Sequence, residues 1–459
     1  MSVSPARKIA FDVLRRVEGE GAYASDLLHE ALDVRVKPAD AALATEITLG
    51  VLRWRRLLDF LLDRHLKKPV QRLDLPVALT LRIGLYQLRF LERIPARAAV
   101  GESVELVKQA RKTSAATLVN AVLRRSAEEA SIPSAEFVPP ALAVVERLAI
   151  LHSHPAWLVE RWFARFGESQ TIPLLVANNQ RPRLSCALHS PERRAEIFAE
   201  LESAGMRVEP GLFLKSAFAL SGGSPTKTHS FRDGLISIQD EASQAVPLLL
   251  GVQPGDRVLD LCAAPGGKTS ALARAAGSAG VVIAADRHTP RLRAMRAQLE
   301  RLHLQNVRLV ELDGEQPLPF RAKFDRILVD APCSGTGTLA RHPEIRWRLR
   351  PDQLAEFHQL QVRMLRSAIA SLAPGGRLVY STCSIESEEN ESVVSEALGG
   401  DFSIQQVSAD ELAHTLRPHL VENFDPRSLF SADGGFGTSP ANHTDGFFAA
   451  AIERGRGAR

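Results

Sequence analysis

Residues 324–335 read FDRILVDAPCSG, and residues 378–384 read LVYSTCS. Each segment is an apolar run of strand length that ends in a turn of small residues. The first turn carries Cys333 and the second carries Cys383. In open α/β sheets, ligands bind beyond the carboxyl ends of the strands. We therefore expect Asp330, Cys333 and Cys383 to share one site, although fifty residues separate the two cysteines.

Strand and helix patterns alternate around these segments, from residue 234 onward. Strands are predicted at 257–261, 281–286, 307–312, 326–329 and 377–381, with helices after the first two and at 352–372. Strands that alternate with helices of about 10 to 20 residues are typical of a doubly wound, mainly parallel sheet.

A turn of small residues follows the first of these strands. It consists of Cys262, Ala263, Ala264, Pro265, Gly266, Gly267 and Lys268. Glycines let the backbone approach a ligand, and the N–H groups of the helix start favour an anion such as a carboxylate. A purely structural turn explains the glycines equally well. The turn is not a phosphate-binding P-loop, because the first glycine of that motif would fall at Cys262.

Aspartates stand at the ends of four consecutive predicted strands, at Asp260, Asp286, Asp313 and Asp330. One exposed aspartate after a strand is common, but four in succession indicate a binding edge. Asp286 is placed to accept hydrogen bonds from ribose hydroxyls, as in dinucleotide-binding folds. No residue is predicted to be a metal ligand.

The front of the chain has helical periodicity and predicts an all-α bundle over residues 1–130, with helices at 41–65, 75–91 and 97–111 among others. Prolines and small polar residues at 131–140 predict a linker. A small α/β subdomain is predicted at 141–233, with helices at 157–166 and 191–204 and a strand at 183–189. The sheet domain is predicted at 234–455.

Composition bounds the class of protein. The 459 residues are 45% hydrophobic and 24% charged, and none of their apolar runs approaches the roughly 20 residues of a membrane span. The start of the chain lacks the apolar run of a secretory signal, so we expect a cytoplasmic protein without membrane contact. Four cysteines are too few for a disulfide framework, and we expect them to be free thiols.

Charge is distributed unevenly along the chain. The net charge is +4, of which residues 1–130 contribute +6 and the remainder −2. A basic excess at the front favours a module that faces nucleic acid, although a solvated helical surface explains it about as well.

The cysteine turns and the glycine turn together resemble motifs of the S-adenosylmethionine-dependent RNA 5-methylcytosine methyltransferases, the NOL1/NOP2/Sun family. Residues 239–243 (QDEAS) and 444–448 (TDGFF) are similar to flanking motifs of the family, with Ala242 where a serine is common. The helical front resembles the NusB-type RNA-binding domain, in segments such as 6–14 and 121–125.

This resemblance implies a fold and a function. The fold is a Rossmann-like class I methyltransferase sheet, preceded by a NusB-like all-α bundle and a small α/β subdomain. The implied activity is methylation of C5 of a cytosine in 16S ribosomal RNA of the small subunit by a monomeric enzyme. The implied cofactor is S-adenosylmethionine, contacted by 262–268, Asp286, Asp313 and Asp330. Cys383 is the implied nucleophile, and Cys333 the implied residue for release of the adduct.

The chemistry of cytosine agrees with these roles. C5 is too weak a nucleophile to take a methyl group directly, but addition of a thiolate at C6 turns the ring into an enamine that can. Asp330 at the Watson–Crick edge of the base would stabilise the adduct at N3. Lys268 either stabilises charge near the cofactor or serves helix geometry. The basic, aromatic segment 341–348, which includes His342, either grips RNA or is an ordered surface loop.

Other functions are compatible with the same pattern. One is methylation of a different RNA, such as tRNA. A second is an RNA-binding scaffold with an inactive transferase domain. A third is a nicotinamide-dependent oxidoreductase on a similar sheet.

Overall fold

A computed structural model describes residues 3–32, 36–400 and 403–456. The helices, in chain order, are α1 Pro5–Glu20, α2 Ala24–Ala31, α3 Pro38–Asp63, α4 Leu75–Phe90, α5 Ala96–Gln109, α6 Ala116–Glu128, α7 Ser134–Phe137, α8 Val144–Leu151, α9 Ala156–Asn179, α10 Arg194–Ser203, α11 His229–Arg232, α12 Glu241–Leu248, α13 Gly267–Ala276, α14 Thr289–Arg301, α15 Ile345–Arg348, α16 Gln353–Ala370, α17 Glu391–Leu398 and α18 Ala409–Leu416. The strands are β1 Leu184–Leu188, β2 Arg207–Pro210, β3 Ala217–Ser221, β4 Ile236–Ile238, β5 Arg257–Leu261, β6 Val281–Asp286, β7 Val307–Glu311, β8 Phe324–Asp330, β9 Leu372–Thr382, β10 Ile404–Gln406, β11 Phe436–Gly437 and β12 Phe448–Arg454.

The chain divides into two compact units. The first runs to Gln180 and also takes in Leu339–Leu349, and the second contains Arg181–Thr338 and the residues from Arg350 onward. Helices α8 and α9, which fall in the predicted middle domain, thus belong to the first unit. The division into three domains at 130 and 233 stays a prediction.

The first unit is the predicted all-helical bundle. Proline stands at the start of α1, α3 and α4, where its missing N–H leaves no helical hydrogen bond unmade. Apolar side chains of α1 and α3–α6 form one continuous buried core. Helix α9 is longer than the predicted 157–166, and a non-helical Gly167 (φ 71°) marks a kink where the prediction ended it.

The second unit begins with the small α/β subdomain. Its strands form a sheet of order β2-β3-β1-β4, and each neighbouring pair is antiparallel. Helix α10 supplies Ile197 and Leu201 to a core that also contains Cys186 and Phe218. The predicted small α/β subdomain is confirmed.

The main sheet of the second unit has eight strands. Its order is β10-β12-β9-β8-β5-β6-β7, and β11 pairs with β12. The pairs from β7 through β6, β5 and β8 to β9 are parallel, whereas β12 runs antiparallel between β9 and β10. Strands β5 and β6 have the predicted bounds. Strands β10, β11 and β12 were not predicted.

This strand order places the functional segments. The chain runs from β5 outward to β6 and β7, then returns to β8 on the other side of β5. The order therefore reverses between β5 and β8, and such a switch point leaves a crevice beyond the carboxyl ends of the strands. The turn after β5 and the Cys333 turn after β8 flank the crevice, and the Cys383 turn follows the next strand, β9.

Candidate active site

The turn after β5 is shaped for close approach of a ligand to the backbone. Gly266 has φ 100°, a conformation that L side chains rarely adopt, and helix α13 begins at the next residue. The N–H of Ala263 donates to the carbonyl of Ala285 (2.9 Å), and the N–H of Ala264 donates to Asp286 Oδ2 (3.3 Å). The peptide bond before Pro265 is cis. These contacts fasten the turn to the end of β6.

Asp260 lies buried beneath this turn. Its Oδ2 accepts a hydrogen bond from Thr269 Oγ1 (2.5 Å), while Oδ1 has no hydrogen-bond partner in the described part of the chain. Burial, together with the nearby Asp330 and Asp286 carboxylates, raises the pKa of Asp260 to about 7. An acceptor without a partner, beside the N–H groups of a helix start, suits a ligand that carries both an ammonium and a carboxylate group. The amino-acid end of S-adenosylmethionine has these two groups, so the residues present fit that cofactor.

The other two predicted cofactor aspartates differ in setting. Asp286 is buried, and its carboxylate accepts the N–H of His288 (2.9 Å) and lies 3.6 Å from the Arg291 guanidinium. A carboxylate has about four acceptor positions, so capacity for a ribose hydroxyl remains. Asp313 is exposed after β7, and it accepts the N–H of Glu315 (3.1 Å). Cofactor contact by either residue stays a prediction.

Lys268 and Asp330 meet across the crevice. Lys268 Nζ lies 2.6 Å from Asp330 Oδ2, and Ser381 Oγ donates to Asp330 Oδ1 (2.8 Å). The Lys268 ammonium also lies 4.9 Å from the centre of the Phe447 ring, a cation–π contact. Lys268 therefore contacts the predicted site residue Asp330. The hydrogen bonds that Asp330 accepts from Lys268 and Ser381 connect the glycine turn to the segment before Cys383.

The two cysteines lie side by side. The Sγ atoms of Cys333 and Cys383 are 3.3 Å apart, and both residues are partly exposed. The hydrogen bond to Cys383 is the largest cause, followed by burial, of a pKa of Cys333 that is well above its usual value. Burial and this contact therefore favour the thiol form of Cys333. Burial likewise raises the pKa of Cys262, which makes that thiol unreactive.

Backbone contacts bring the flanking motifs to the same place. The carbonyl of Gly337 accepts the N–H of Gly446 (2.7 Å), and a Cβ at Gly337 would overlap the Gly446 carbonyl. Asp240 Oδ1 caps α12 through the N–H of Ala242 (2.9 Å) and accepts the N–H of Asp445 (3.3 Å). The segments 239–243 and 444–448 thus support the walls of the crevice.

The basic segment 341–348 has structural roles within the first unit. Arg346 is buried and donates to the carbonyls of Ser153 (3.1 Å) and Asn178 (2.9 Å). Trp347 Nε1 donates to the carbonyl of Leu52 (2.6 Å). These contacts support the ordered-segment alternative for Arg346 and Trp347.

Two residues of this site were not predicted from the sequence. Phe447 contacts Lys268, and it lies in a motif that was noted only as a flanking segment. Glu389 is buried between the two cysteine turns, and its position in an acidic run gives no signal of that burial.

No group of three or more His, Cys, Asp or Glu side chains within 3–32, 36–400 and 403–456 is arranged to hold a metal ion. None of the helices in those ranges has both the length and the apolarity to cross a membrane.

Comparison with known families assigns each part of the chain. Residues 247–453 match the family model described as 16S rRNA methyltransferase RsmB/F. Residues 4–128 match the NusB family, and residues 154–227 match the ferredoxin-like domain of RsmF/B-like methyltransferases. These matches confirm the resemblance to NusB and to the methyltransferases.

Individual proteins support the family match over the whole chain. The probable ribosomal RNA small subunit methyltransferase B of Bacillus subtilis is 32% identical, and the alignment covers 99% of this chain and 100% of that protein. A crystal structure titled PH0851 superposes with a TM-score of 0.81 at 26% identity, covering 99% and 100% of the two chains. A methyltransferase homologue from Pyrococcus horikoshii is 30% identical with a TM-score of 0.56, covering 69% and 100%.

The family excludes two of the alternatives that the sequence left open, because it uses S-adenosylmethionine rather than a nicotinamide, and it is a family of enzymes rather than scaffolds. The chain therefore belongs to the RsmB/F family of 16S rRNA methyltransferases and is an S-adenosylmethionine-dependent methyltransferase.

Proposed function

We propose that this enzyme methylates C5 of a specific cytosine in 16S ribosomal RNA through a covalent bond between Cys383 and C6 of the base. The observation that carries the proposal is the pair of thiols 3.3 Å apart, at the ends of adjacent parallel strands beside the cofactor turn. Methylation at an exocyclic or ribose atom needs no thiol, whereas methylation at C5 of a pyrimidine needs a nucleophile at C6.

Cys383 begins the reaction. Its thiolate forms a bond to C6, and the electrons of the C5–C6 double bond move toward N3, which leaves an enamine that is nucleophilic at C5. S-adenosylmethionine, held by the turn 262–268, would supply the electrophilic methyl group that the enamine carbon C5 takes.

Lys268 and Asp330 act on the ring during this step. Their ion pair of 2.6 Å lies between the cofactor turn and the Cys383 strand. Asp330 is placed at the N3 and N4 edge of the base, where its carboxylate can accept the N4–H, and the N3–H once N3 takes a proton as the thiolate adds. Lys268 balances the Asp330 charge, and the Phe447 ring supports the ammonium from its face.

Cys333 acts in release. After methyl transfer, solvent water must take the C5 proton, so that the bonding electrons reform the C5–C6 double bond and expel the Cys383 thiolate. Cys333 starts as a thiol, because the neighbouring Cys383 and burial raise its pKa. Its S–H lies beside the departing sulfur, where it can hydrogen bond to the thiolate as the bond to C6 breaks.

The choice of 16S rRNA rests on the relatives. The B. subtilis protein is named as a ribosomal RNA small subunit methyltransferase, and it aligns over the full length of this chain. The NusB-like bundle and the ferredoxin-like subdomain would position the RNA. We expect a monomer that works in the cytoplasm, and a 16S substrate rather than tRNA.

Substitution of each cysteine tests the mechanism. Purified protein is incubated with undermethylated 16S rRNA, with tRNA and with methyl-labelled cofactor. Cys383→Ala should abolish incorporation, whereas Cys333→Ala should leave a protein–RNA adduct that withstands denaturing electrophoresis. Cys186→Ala, which alters a buried thiol of strand β1, is the control that should retain activity.

Three results would contradict the proposal. Incorporation by Cys383→Ala would exclude that nucleophile. Absence of an adduct with Cys333→Ala would exclude the release role. Labelling of tRNA in preference to 16S rRNA would replace the proposed substrate.

A further inference from the structure

We propose that Glu389 is a positioning residue that holds the Cys333 turn against the Cys383 turn, so that both sulfurs can reach the same base. This inference rests on the proposed function of the two thiols. It adds a residue that contacts neither the base nor the cofactor turn, but holds the two groups that act on the base.

The carboxylate of Glu389 accepts hydrogen bonds from both turns. Its Oε1 accepts the N–H of Ser334 (2.7 Å), the residue after Cys333. Its Oε2 accepts the hydroxyl of Ser384 (2.5 Å), the residue after Cys383, and also the hydroxyl of Ser334. One carboxylate therefore links the chain atoms that follow each thiol.

Glu389 is itself held from several directions. Its backbone carbonyl accepts the hydroxyl of Tyr380 (2.6 Å) on strand β9. Gln361 Nε2, on helix α16, donates to Glu389 Oε1 (3.1 Å) and to the carbonyl of Pro332 (2.8 Å), one residue before Cys333. The adjacent Asn390 Nδ2 donates to the carbonyl of Ser384 (2.9 Å). Strand, helix and both turns therefore converge on one buried group.

The residue type suits this position. Glu389 is 0% exposed, and its four donors are the amide and hydroxyl of Ser334, the hydroxyl of Ser384 and the amide of Gln361. An ionised carboxylate can accept about four hydrogen bonds, and a shorter or apolar side chain would leave these buried donors without partners. Burial raises the pKa of Glu389, while the hydrogen bonds from Ser334, Ser384 and Gln361 oppose that rise.

The charge of Glu389 also bears on the thiols. It is one of the causes that raise the pKa of Cys333, after the Cys383 contact and burial. A negative charge behind the Cys333 turn keeps that residue a thiol at the start of the reaction. The hydrogen bonds and the charge of Glu389 thus both support different roles for the two sulfurs, with Cys383 as the nucleophile and Cys333 as a thiol.

Three variants separate positioning from simple stability. Glu389→Ala removes the acceptors. Glu389→Gln keeps the shape, and its amide NH2 can donate to the two serine hydroxyls, which can turn to accept. Glu200→Ala is the matched control, because the Glu200 carboxylate, on helix α10, likewise accepts both the N–H (2.9 Å) and the hydroxyl of one serine, Ser230.

The first measurement is steady-state methylation of 16S rRNA, together with thermal unfolding of each variant. Glu389→Ala should lower kcat about 100-fold with a change of less than about threefold in the KM for RNA, the size expected when reacting groups are misplaced by about 1 Å. Glu389→Gln should recover most of that loss. Glu200→Ala should also lower the melting temperature, but with a much smaller loss of kcat.

The second measurement does not depend on methyl transfer. Diamide oxidises the two thiols to a disulfide and is itself reduced to a hydrazine, and the rate of this coupling reports how well the sulfurs are aligned. Coupling of Cys333 to Cys383 is followed by mass spectrometry. It should be at least about tenfold slower in Glu389→Ala than in Glu389→Gln, because the misplacement of the sulfurs that lowers kcat also slows their coupling.

The outcomes distinguish this inference from the proposed function. Equal coupling rates in the two Glu389 variants, or a kcat loss no larger than that of Glu200→Ala, would overturn the positioning role. Slower coupling in a protein whose wild type does not methylate RNA would leave the positioning role standing and refute the proposed function.

Discussion

The Sγ atom of Cys333 lies 3.3 Å from the Sγ atom of Cys383, within hydrogen-bond distance for two sulfurs. This contact makes the active site sensitive to oxidation, because a disulfide needs the sulfurs only about 1 Å closer. Hydrogen peroxide should therefore form a disulfide between the two residues, consuming two thiols and releasing water. Methylation should be lost and should return with dithiothreitol.

The measurement for this prediction is a peptide map without reduction, combined with an activity assay. Cys186 and Cys262 should remain unlinked, because in the described part of the chain neither sulfur has a second sulfur within hydrogen-bond distance. Loss of activity without the Cys333–Cys383 peptide would show that another oxidation is responsible.

Lys268 and Asp330 should act as a coupled pair. Because the Nζ and Oδ2 atoms are 2.6 Å apart, removal of either group leaves the other charge without its partner. Lys268→Met and Asp330→Asn should each lower kcat about 100-fold, in the range of a lost acid–base or charge-stabilising group. The double variant should lose much less than the product of the two effects. Independent, multiplicative losses in steady-state assays would contradict the coupling.

Asp260 should make stability depend on pH. Its pKa rises from 3.8 in the unfolded chain to about 7 in the ligand-free fold, so the folded state binds more protons between these values. The free energy of unfolding should therefore fall as the pH rises from 4 to 7 and level off above that range. The full difference is at most about 4 kcal/mol.

Asp260→Asn tests this by thermal unfolding across the pH range. It should gain stability relative to the wild type at pH 8 and gain little at pH 4. Asp410→Asn is the control, because the Asp410 side chain is 85% exposed and should show no such trend. A constant difference between Asp260→Asn and the wild type would refute the buried carboxyl as the cause.

Arg346 should protect the segment 339–349 from proteolysis. The guanidinium is fully buried and donates to backbone carbonyls of Ser153 and Asn178, so Arg346→Ala leaves those acceptors without partners. Trypsin should then cut after Arg341 or Arg348 in the folded protein. Arg350→Ala, which alters an exposed ion pair with Asp352, should leave the segment resistant.

Gly337 should tolerate no side chain. A Cβ there would overlap the backbone carbonyl of Gly446, and the two residues share a hydrogen bond of 2.7 Å. Gly337→Ala should lower activity at least about 100-fold, because the Cys333 turn must shift. Gly437→Ala is the matched control, since nothing lies within 4 Å of the added atom. Equal activities in the two variants would contradict the close approach.

Sequence patterns predicted the parallel part of the sheet well, because β5 and β6 are continuous apolar runs bounded by turns of small residues. Strand β12 was missed, since Ala449, Ala450 and Ala451 favour a helix by propensity and become a strand only through burial between β9 and β10. Glu389 was missed for a similar reason. It lies in the acidic run 386–391, which is typical of a solvated turn, and its burial depends on Ser334, 55 residues earlier.

The antiparallel strand β12 has a consequence for biosynthesis. It pairs with β9 along residues 377–382, yet it leaves the ribosome after every other strand of that sheet. Until residue 454 emerges, β9 has an open edge of unpaired backbone groups, the kind of edge on which nascent chains aggregate. Strand β9, which leads to the proposed nucleophile Cys383, therefore gains its last neighbour only when synthesis of the sheet is complete, and until then the nascent chain is exposed to mispairing.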